Sequence, residues 1–408
     1  MSTEGRSAEP ASATSALESA GFVRLVARAD GDGLAASGLL ATALDERGTP
    51  FQVTVCRTVA DRTERVRTPT NEGDVTVVVG TADAAADPDD LVRLAATDRP
   101  ATLEAVDLVR EIGATPEPVL ALAGVVAGGS EPGAGESEWL LEIARERGLL
   151  EQRPGVAVPT ADPIDGVAHS TRLRAPWSGD LDAAREALSD AFDGDHDGLD
   201  ADDRRAIGSL VALDAVGADG ASDAAAETVG RAVRPYATPD APFETIGGFA
   251  DVLEALARTD PGTGTALAMG HDVCDAALDG WRAHGRRAHA ALADASTGRY
   301  DGLFVVGIDD GPVEAVARIA AATRSPEPAV LAVGAGEAAI ATRDAASLGA
   351  TVEGVARELA APQQEADAAT GDDSGIDVAY DVGHRRGYLR YDPDVDDSTI
   401  IAAVRNLL

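Results

Sequence analysis

Val23-Arg24-Leu25-Val26-Ala27-Arg28-Ala29-Asp30-Gly31-Asp32-Gly33-Leu34-Ala35-Ala36-Ser37-Gly38 runs from an apolar, β-rich segment through an acidic glycine turn into the start of a helix. A strand feeding a helix in this way opens a parallel α/β sheet, and such sheets bind ligands at the carboxyl edge of their strands. Asp30 and Asp32 stand at that edge, in a turn where Gly31 and Gly33 are expected to permit unusual backbone angles. The same carboxylates would serve equally as helix N-terminal residues, capping free amides and meeting the positive end of the dipole.

Outward from this stretch, the alternation continues through the first 150 residues. Apolar runs at 22–27, 51–56 and 75–79 read as strands, a helix over 34–47 stops at Gly48, and Pro118 opens a helix over 119–127 closed by Gly128-Gly129. From about residue 151 the texture changes: Pro154, Pro159, Pro163 and Pro176 punctuate the chain up to Asp180, and a more helical region runs to about residue 294. A second alternating unit starts at Tyr300, with strands at 303–308 and 329–333 and a helix between them ending at Thr323. A Gln/Glu/Asp/Thr run near 361–375 lacks apolar periodicity and reads as a disordered loop, followed by a strand around 388–391 and a helix over 398–408. The expected organisation is a flexible N-terminus (1–18), a parallel-sheet α/β domain (19–150), a helical middle segment (151–294) and a smaller α/β domain (295–408).

The charge balance is extreme: 34 basic residues, all arginine, against 70 Asp and Glu, for a formal net charge of −36 over 408 residues. Phosphate binding normally rests on basic surface. Here, however, the acids are spread over the whole chain, lysine is absent and aromatics make up only 3%. That pattern matches proteins of salt-accumulating haloarchaea, where net charge serves solubility. At molar salt the screening length is about 3 Å, so a local arginine patch can still meet a phosphate. The cysteines, Cys56 and Cys274, form neither a zinc knuckle nor a disulfide framework. There is no signal-peptide pattern at the start and no apolar run of bilayer-spanning length. A cytoplasmic protein without a membrane partner is expected.

Asp-x-Asp-Gly after a strand resembles the first motif of the DHH phosphoesterase superfamily, which includes RecJ exonucleases. Further segments follow in the order of the archaeal RecJ-like branch that contains the GINS-associated nuclease. Residues 120–129 resemble the helix before the family's fourth motif, and Gly166-Val167-Ala168-His169-Ser170-Thr171 with Pro176-Trp177-Ser178-Gly179 resembles the start of its middle region. Residues 243–258, leading to 264–270, are similar to a characteristic stretch of that branch. The last domain resembles DHHA1, the family's nucleic-acid-binding companion. Arg343 would stand in its arginine-bearing segment, and His384, Arg385 and Arg386 in its Gly-rich turn. The resemblance thus implies single-stranded DNA held by these four residues, with GINS and the MCM helicase as partners.

Members of the family are two-metal phosphoesterases, and hard divalent ions need several carboxylates and imidazoles. By resemblance, Asp30 and Asp32 are the two ligands that carry over. Arg28 stands where the first motif has histidine, and a guanidinium has no lone pair to give a metal. Gly80-Thr81 follow the third strand, with Asp83 nearby; no Asp-His-His occurs; and Gly129 takes the place of the fourth-motif aspartate. Two unsupported carboxylates hold two metals poorly. The expectation is a degenerate RecJ-like scaffold with no cofactor, acting in replication or repair like the eukaryotic replicative-helicase subunit related to RecJ. The alternative is an active exonuclease or phosphoesterase specific for single strands, using Mn²⁺ or Mg²⁺ at Asp30, Asp32 and Asp83.

Other acidic and basic clusters read more plainly. Asp193-Gly194-Asp195-His196-Asp197-Gly198 matches the first half of an EF-hand loop, but Arg204 stands at position twelve, where a bidentate glutamate is needed, so an acidic loop is expected. Residues 307–312 read as a strand-to-helix turn, without a Walker lysine. His284-Gly285-Arg286-Arg287-Ala288-His289 is a basic spot on a helix, either a solvated face or part of a DNA track, and His271 is expected at the surface or at a helix cap.

Overall fold

The computed structural model describes residues 10–83, 90–94, 99–191, 199–343, 348–361 and 377–408. The N-terminal lobe comprises α1 (Pro10–Ser19), β1 (Phe22–Arg28), α2 (Gly31–Glu46), β2 (Phe51–Cys56), α3 (Val59–Arg67), β3 (Asp74–Val79), β4 (Leu91–Leu94), α4 (Ala101–Glu111), α5 (Pro118–Ala127) and α6 (Glu138–Glu146). Its sheet has the order β2-β1-β3-β4 and is parallel throughout. Helices cover it, which is why β3 is buried along nearly its whole length and reads as continuous valine rather than as an alternating pattern. The chain leaves β1 for a neighbour on one side and then returns to pair on the other, so the carboxyl end of β1 lies at the switch point where open α/β sheets form crevices.

The middle of the chain contributes β5 (Glu151–Gln152), α7 (Pro163–His169), α8 (Leu181–Leu188), α9 (Ala201–Gly217), α10 (Asp223–Ala232), β6 (Tyr236–Ala237), α11 (Ile246–Thr259), α12 (Pro261–Ala268) and α13 (Cys274–Ala293). The C-terminal lobe comprises β7 (Ser296–Tyr300), β8 (Leu303–Gly307), α14 (Val313–Thr323), β9 (Ala329–Gly334), β10 (Glu337–Thr342), α15 (Gly349–Ala360), β11 (Ala379–Gly383), β12 (Arg386–Arg390) and α16 (Asp397–Leu407). Its sheet, β11-β12-β10-β9-β8-β7, is antiparallel except between β8 and β9, the pair joined through α14.

Two expectations change. The stretch expected to be a flexible N-terminus carries α1, whose Ala13 and Leu17 are buried in the first lobe's core, with Thr14 Oγ1 donating to Glu111 at 2.8 Å. Nor is the middle segment one body. Residues from Phe243 to Trp281 belong to the N-terminal core, whereas Val156 through Val229 form a small helical core of their own. The reason is α11: it is buried around nearly its full circumference, so it must lie between other elements, and it packs on α2, α5 and α13. Strands β4, β5, β6, β7, β10 and β11 had no reading in the sequence. The run at 193–198 and nearly all of 361–375 fall outside the described residues.

Candidate functional site

At the end of β1 the chain turns directly into α2. Asp30 is the N-cap, in extended conformation, and its Oδ1 accepts from the Gly33 amide at 2.7 Å. Gly31 and Gly33 do not use left-handed angles. They are needed for space: a Cβ at Gly33 would lie 2.3 Å from the Arg28 carbonyl oxygen, and one at Gly31 would lie 2.8 Å from the Ala127 Cβ and 3.0 Å from the Glu254 amide nitrogen. Asp32, one turn in, reaches across to the start of α4. It accepts from the amides of Ala101 and Thr102 at 2.8 and 2.9 Å and from Thr102 Oγ1 at 2.6 Å, which caps a helix whose own N-cap is Pro100.

Arg28 closes the group. Its Nε donates to Asp30 Oδ2 at 2.6 Å, its Nη2 to Asp32 Oδ2 at 3.3 Å, and its Nη1 to the Val382 carbonyl of the C-terminal lobe at 3.3 Å. From the middle of the chain, α11 brings Glu254, which accepts from the Gly31 amide at 2.9 Å and from Arg386 Nη1 at 2.5 Å. Arg386 also donates to the Ala127 carbonyl at 2.8 Å and approaches Asp30 to 3.7 Å, while Arg258 bonds Glu314 at 2.7 Å. A second link between the lobes runs alongside: the fully buried Arg62 guanidinium donates to Asp381 and to the carbonyls of Cys56 and Thr81.

These charges set one another's protonation. Burial pushes the Asp30 carboxyl up, but Arg28, then Arg386 and Arg258, outweigh it and hold the group well below the usual carboxylate range. Burial likewise works upward on Glu254, and Arg386 and Arg258 bring it down to about 2. Asp32 is displaced upward by burial and by the neighbouring Asp30 charge, against Arg28 and the Thr102 donors. Each of the four oxygens of Asp30 and Asp32 has a donor, and a guanidinium lies between the two side chains. The residues present do not fit a divalent pair. Among the described residues no group of three or more His, Cys, Asp or Glu is placed to hold a metal, and Asp83 is exposed and paired with Arg67.

Next to this ion-paired group opens a cleft of about 660 Å³. Arg172, Arg231, Arg234, Arg318, Arg343, Arg385 and Arg386 line it, together with the carboxylates of Glu131, Glu227 and Glu314. A chain of net charge −36 thereby turns a positive surface inward at one place. Of the four residues expected to contact DNA, Arg343 is exposed on the cleft wall, and His384 and Arg385 form the two-residue turn of the β11–β12 hairpin. Arg385 Nη1 donates to the Gly129 carbonyl at 3.3 Å. Arg386 begins β12 and is committed to Glu254 rather than free for a ligand.

Several residues of the site were missed in the sequence. Glu254 and Asp251 are acids within the buried, otherwise apolar run 248–257 of α11, and that mismatch is the signal that could have found them. Arg172 and Arg318 carry no local signal. The basic spot at 284–289 proves amphipathic: His284 and His289 are buried, and Arg286 and Arg287 face outward. His271 is exposed in the turn after α12.

Fold and cleft together define the class, a bilobed α/β protein whose two sheets meet over a cationic cleft. CDC45 from Entamoeba histolytica has this fold: 97% of each chain superposes with a TM-score of 0.58 at 6% sequence identity. RecJ from Thermus thermophilus in complex with Mn²⁺ matches 97% of this chain and 54% of its own at 15% identity, with a TM-score of 0.49. In sequence, the chain is 46% identical over 367 residues to the uncharacterized protein rrnAC1427 of Haloarcula marismortui, covering 88% of this chain and 92% of that one. Residues 295–406 match the family described as "Uncharacterized protein rrnAC1427, C-terminal domain". The chain belongs to the rrnAC1427 family. None of its described helices is long and apolar enough to cross a membrane.

Proposed function

We propose that this protein is a RecJ-like DHH protein that binds single-stranded DNA in its cleft and works as a non-catalytic scaffold in replication or repair. The observation that carries this is the arrangement of charge: arginines from the middle of the chain and from the C-terminal lobe face one cleft, while the adjacent carboxylates are spent on Arg28 and on helix caps. Arginine forks match phosphate oxygens, and a strand laid along the cleft would meet Arg343 and Arg385 near its mouth. The fold match to CDC45, a replication factor, supports the scaffold reading, and the resemblance of its segments to the archaeal branch makes GINS and MCM the partners to test.

Purified protein is incubated with a labelled oligo(dT) in high-KCl buffer with and without Mn²⁺, scoring binding and cleavage in the same tubes. Binding without cleavage, weakened in an Arg343→Ala/Arg385→Ala variant, is the expected result. Mn²⁺-dependent cleavage would replace the scaffold with the enzyme.

A further inference from the structure

The motif His169-Ser170-Thr171 has no part in the reading so far, yet the structure holds it through many contacts. Asp251, 1% exposed on α11, accepts from Ser170 Oγ at 3.0 Å, from the Thr171 amide at 3.0 Å, from Thr171 Oγ1 at 2.5 Å and from Trp281 Nε1 at 2.9 Å. Opposite, the His289 ring nitrogen Nε2 bonds the Ser170 carbonyl at 2.9 Å, so segment 170–171 is held from two helices. Glycine at 285 lets α13 come this close, since a Cβ there would lie 2.0 Å from the His169 carbonyl oxygen. All of this fixes the backbone that immediately precedes Arg172.

Arg172 faces the cleft, and α14 of the other lobe sets Arg318 beside it. Arg318 is anchored by donating to Thr171 Oγ1 at 2.7 Å and to the Thr171 carbonyl at 3.2 Å. Among the described residues neither guanidinium has a carboxylate within ion-pair distance, although acids outnumber arginines two to one in the chain. Burial, and then the Arg318 charge, outweigh the more distant Asp251, Glu254 and Glu131 and pull the Arg172 guanidinium down to about 10. Holding two like charges together in a partly desolvated position is unfavourable unless something anionic joins them. The Arg28 site shows the opposite solution, with every buried cation matched from within the chain.

We infer that Arg172 and Arg318 form an inner phosphate site, in which a phosphodiester of the bound strand is gripped by the two guanidiniums across the lobe junction without a bridging metal ion. This rests on the cleft being the DNA site and adds where its tightest contact lies. Arg172 enters from the helical middle part and Arg318 from the C-terminal lobe, so a phosphate seated between them ties the two together. Arg318 is already positioned by Thr171, so little of its rotamer entropy remains to be lost on binding.

The test uses the full chain. Oligo(dT) binding is measured by anisotropy across a KCl series, in chelator and in Mn²⁺, for the natural protein, Arg172→Gln and Arg172→Lys. In parallel, pyrophosphate is tested as a small anion by its shift of the melting temperature. Arg172→Gln is expected to lower affinity about tenfold, the scale of one charge-assisted hydrogen bond. It is also expected to flatten the slope of log K against log[KCl] by about 0.7. Arg172→Lys should recover the slope but only part of the affinity, because an ammonium lacks the planar fork. Chelator should change neither value, and pyrophosphate should raise the melting temperature of the natural protein but not of Arg172→Gln. If DNA binds and Arg172→Gln binds it equally well, the inner site is overturned while the cleft reading stands. If no DNA binds but the pyrophosphate shift depends on Arg172, the anion site stands and the cleft reading falls. Loss of binding in chelator would overturn the metal-free grip, and absence of both signals would overturn both.

Discussion

The two arginine-rich places in this protein differ in one respect: whether the chain supplies the counter-charge. Around Arg28 three carboxylates and several backbone groups meet every guanidinium, and the lobes are joined there. In the adjoining cleft, Arg172, Arg318 and Arg343 have no ion-paired carboxylate among the described residues. A buried cation that is matched internally contributes structure and specificity of packing; one left unmatched at a solvent-filled cleft is a demand on something outside the chain. Arg28, at the position where the resemblance noted in the sequence would place a metal-ligating histidine, is the cation that pairs with both aspartates.

The sharpest way to break this contrast is Arg28→Ala, which strands Asp30 and Asp32 with their charges buried. It should cost about 3–5 kcal/mol in urea unfolding at high KCl. Replacing the whole set instead, Arg28→Leu with Asp30→Asn and Asp32→Asn, should recover most of that, because removing matched partners together leaves no orphan. A single-variant cost below about 1 kcal/mol would mean that the aspartates are hydrated, at odds with their burial.

Acid should weaken the fold in two stages. His284 and His289 are held at about 4, by burial first, with Arg318 and Arg174 respectively adding to it. The unfolded chain binds those protons near pH 6.5, so stability is fully present above that pH and falls as pH drops from about 6.5 to about 4, by roughly 3 kcal/mol per histidine. Glu254 and Asp165, lowered to about 2, keep their contribution above the ordinary carboxylate range and lose it as pH falls from about 4.5 to about 2. His289→Gln should shrink the first stage and leave the second; unfolding curves recorded at half-unit pH intervals would show it.

Arg386→Gln is a smaller probe of the same side of the comparison. It loses the Glu254 and Ala127 bonds and should cost about 2 kcal/mol, with faster limited proteolysis between the lobes. On the unmatched side, Arg343→Ala with Arg385→Ala should change unfolding by no more than about 0.5 kcal/mol while weakening DNA binding. A large loss of stability from that pair would erase the distinction between the two regions.

Much of this was legible in the primary structure, unevenly. Strands β1, β2, β3, β8 and β9 and helices α2, α5, α14 and α16 follow from apolar runs bounded by glycine and proline, because a buried strand or helix face imposes its period on the residues. Six strands escaped. Those with much alanine or little apolar patterning, such as β10 (Glu-Ala-Ala-Ile-Ala-Thr) and β7 (Ser-Thr-Gly-Arg-Tyr), are made strands by the pairing of their neighbours. For the site, Asp30 and Asp32 were found because the motif is local. Glu254 and Arg172 were not, because their meaning depends on partners far away along the chain.

By itself, then, the chain's sequence determined the alternation that makes two sheets, the placement of two carboxylates at the carboxyl end of β1, and a composition suited to high salt. By resemblance it also placed Arg28 where a metal-ligating histidine is expected, and a guanidinium has no lone pair to give a metal. Only the tertiary structure decided that α11 crosses from the middle of the chain into the first core, that Arg386 turns inward to Glu254, and that Arg172 and Arg318 come together on the wall of the cleft. The physical reason is range. Hydrophobic period and capping act within a few residues, whereas the matching of buried charge acts between any groups the fold brings within a few ångströms, wherever they lie along the chain.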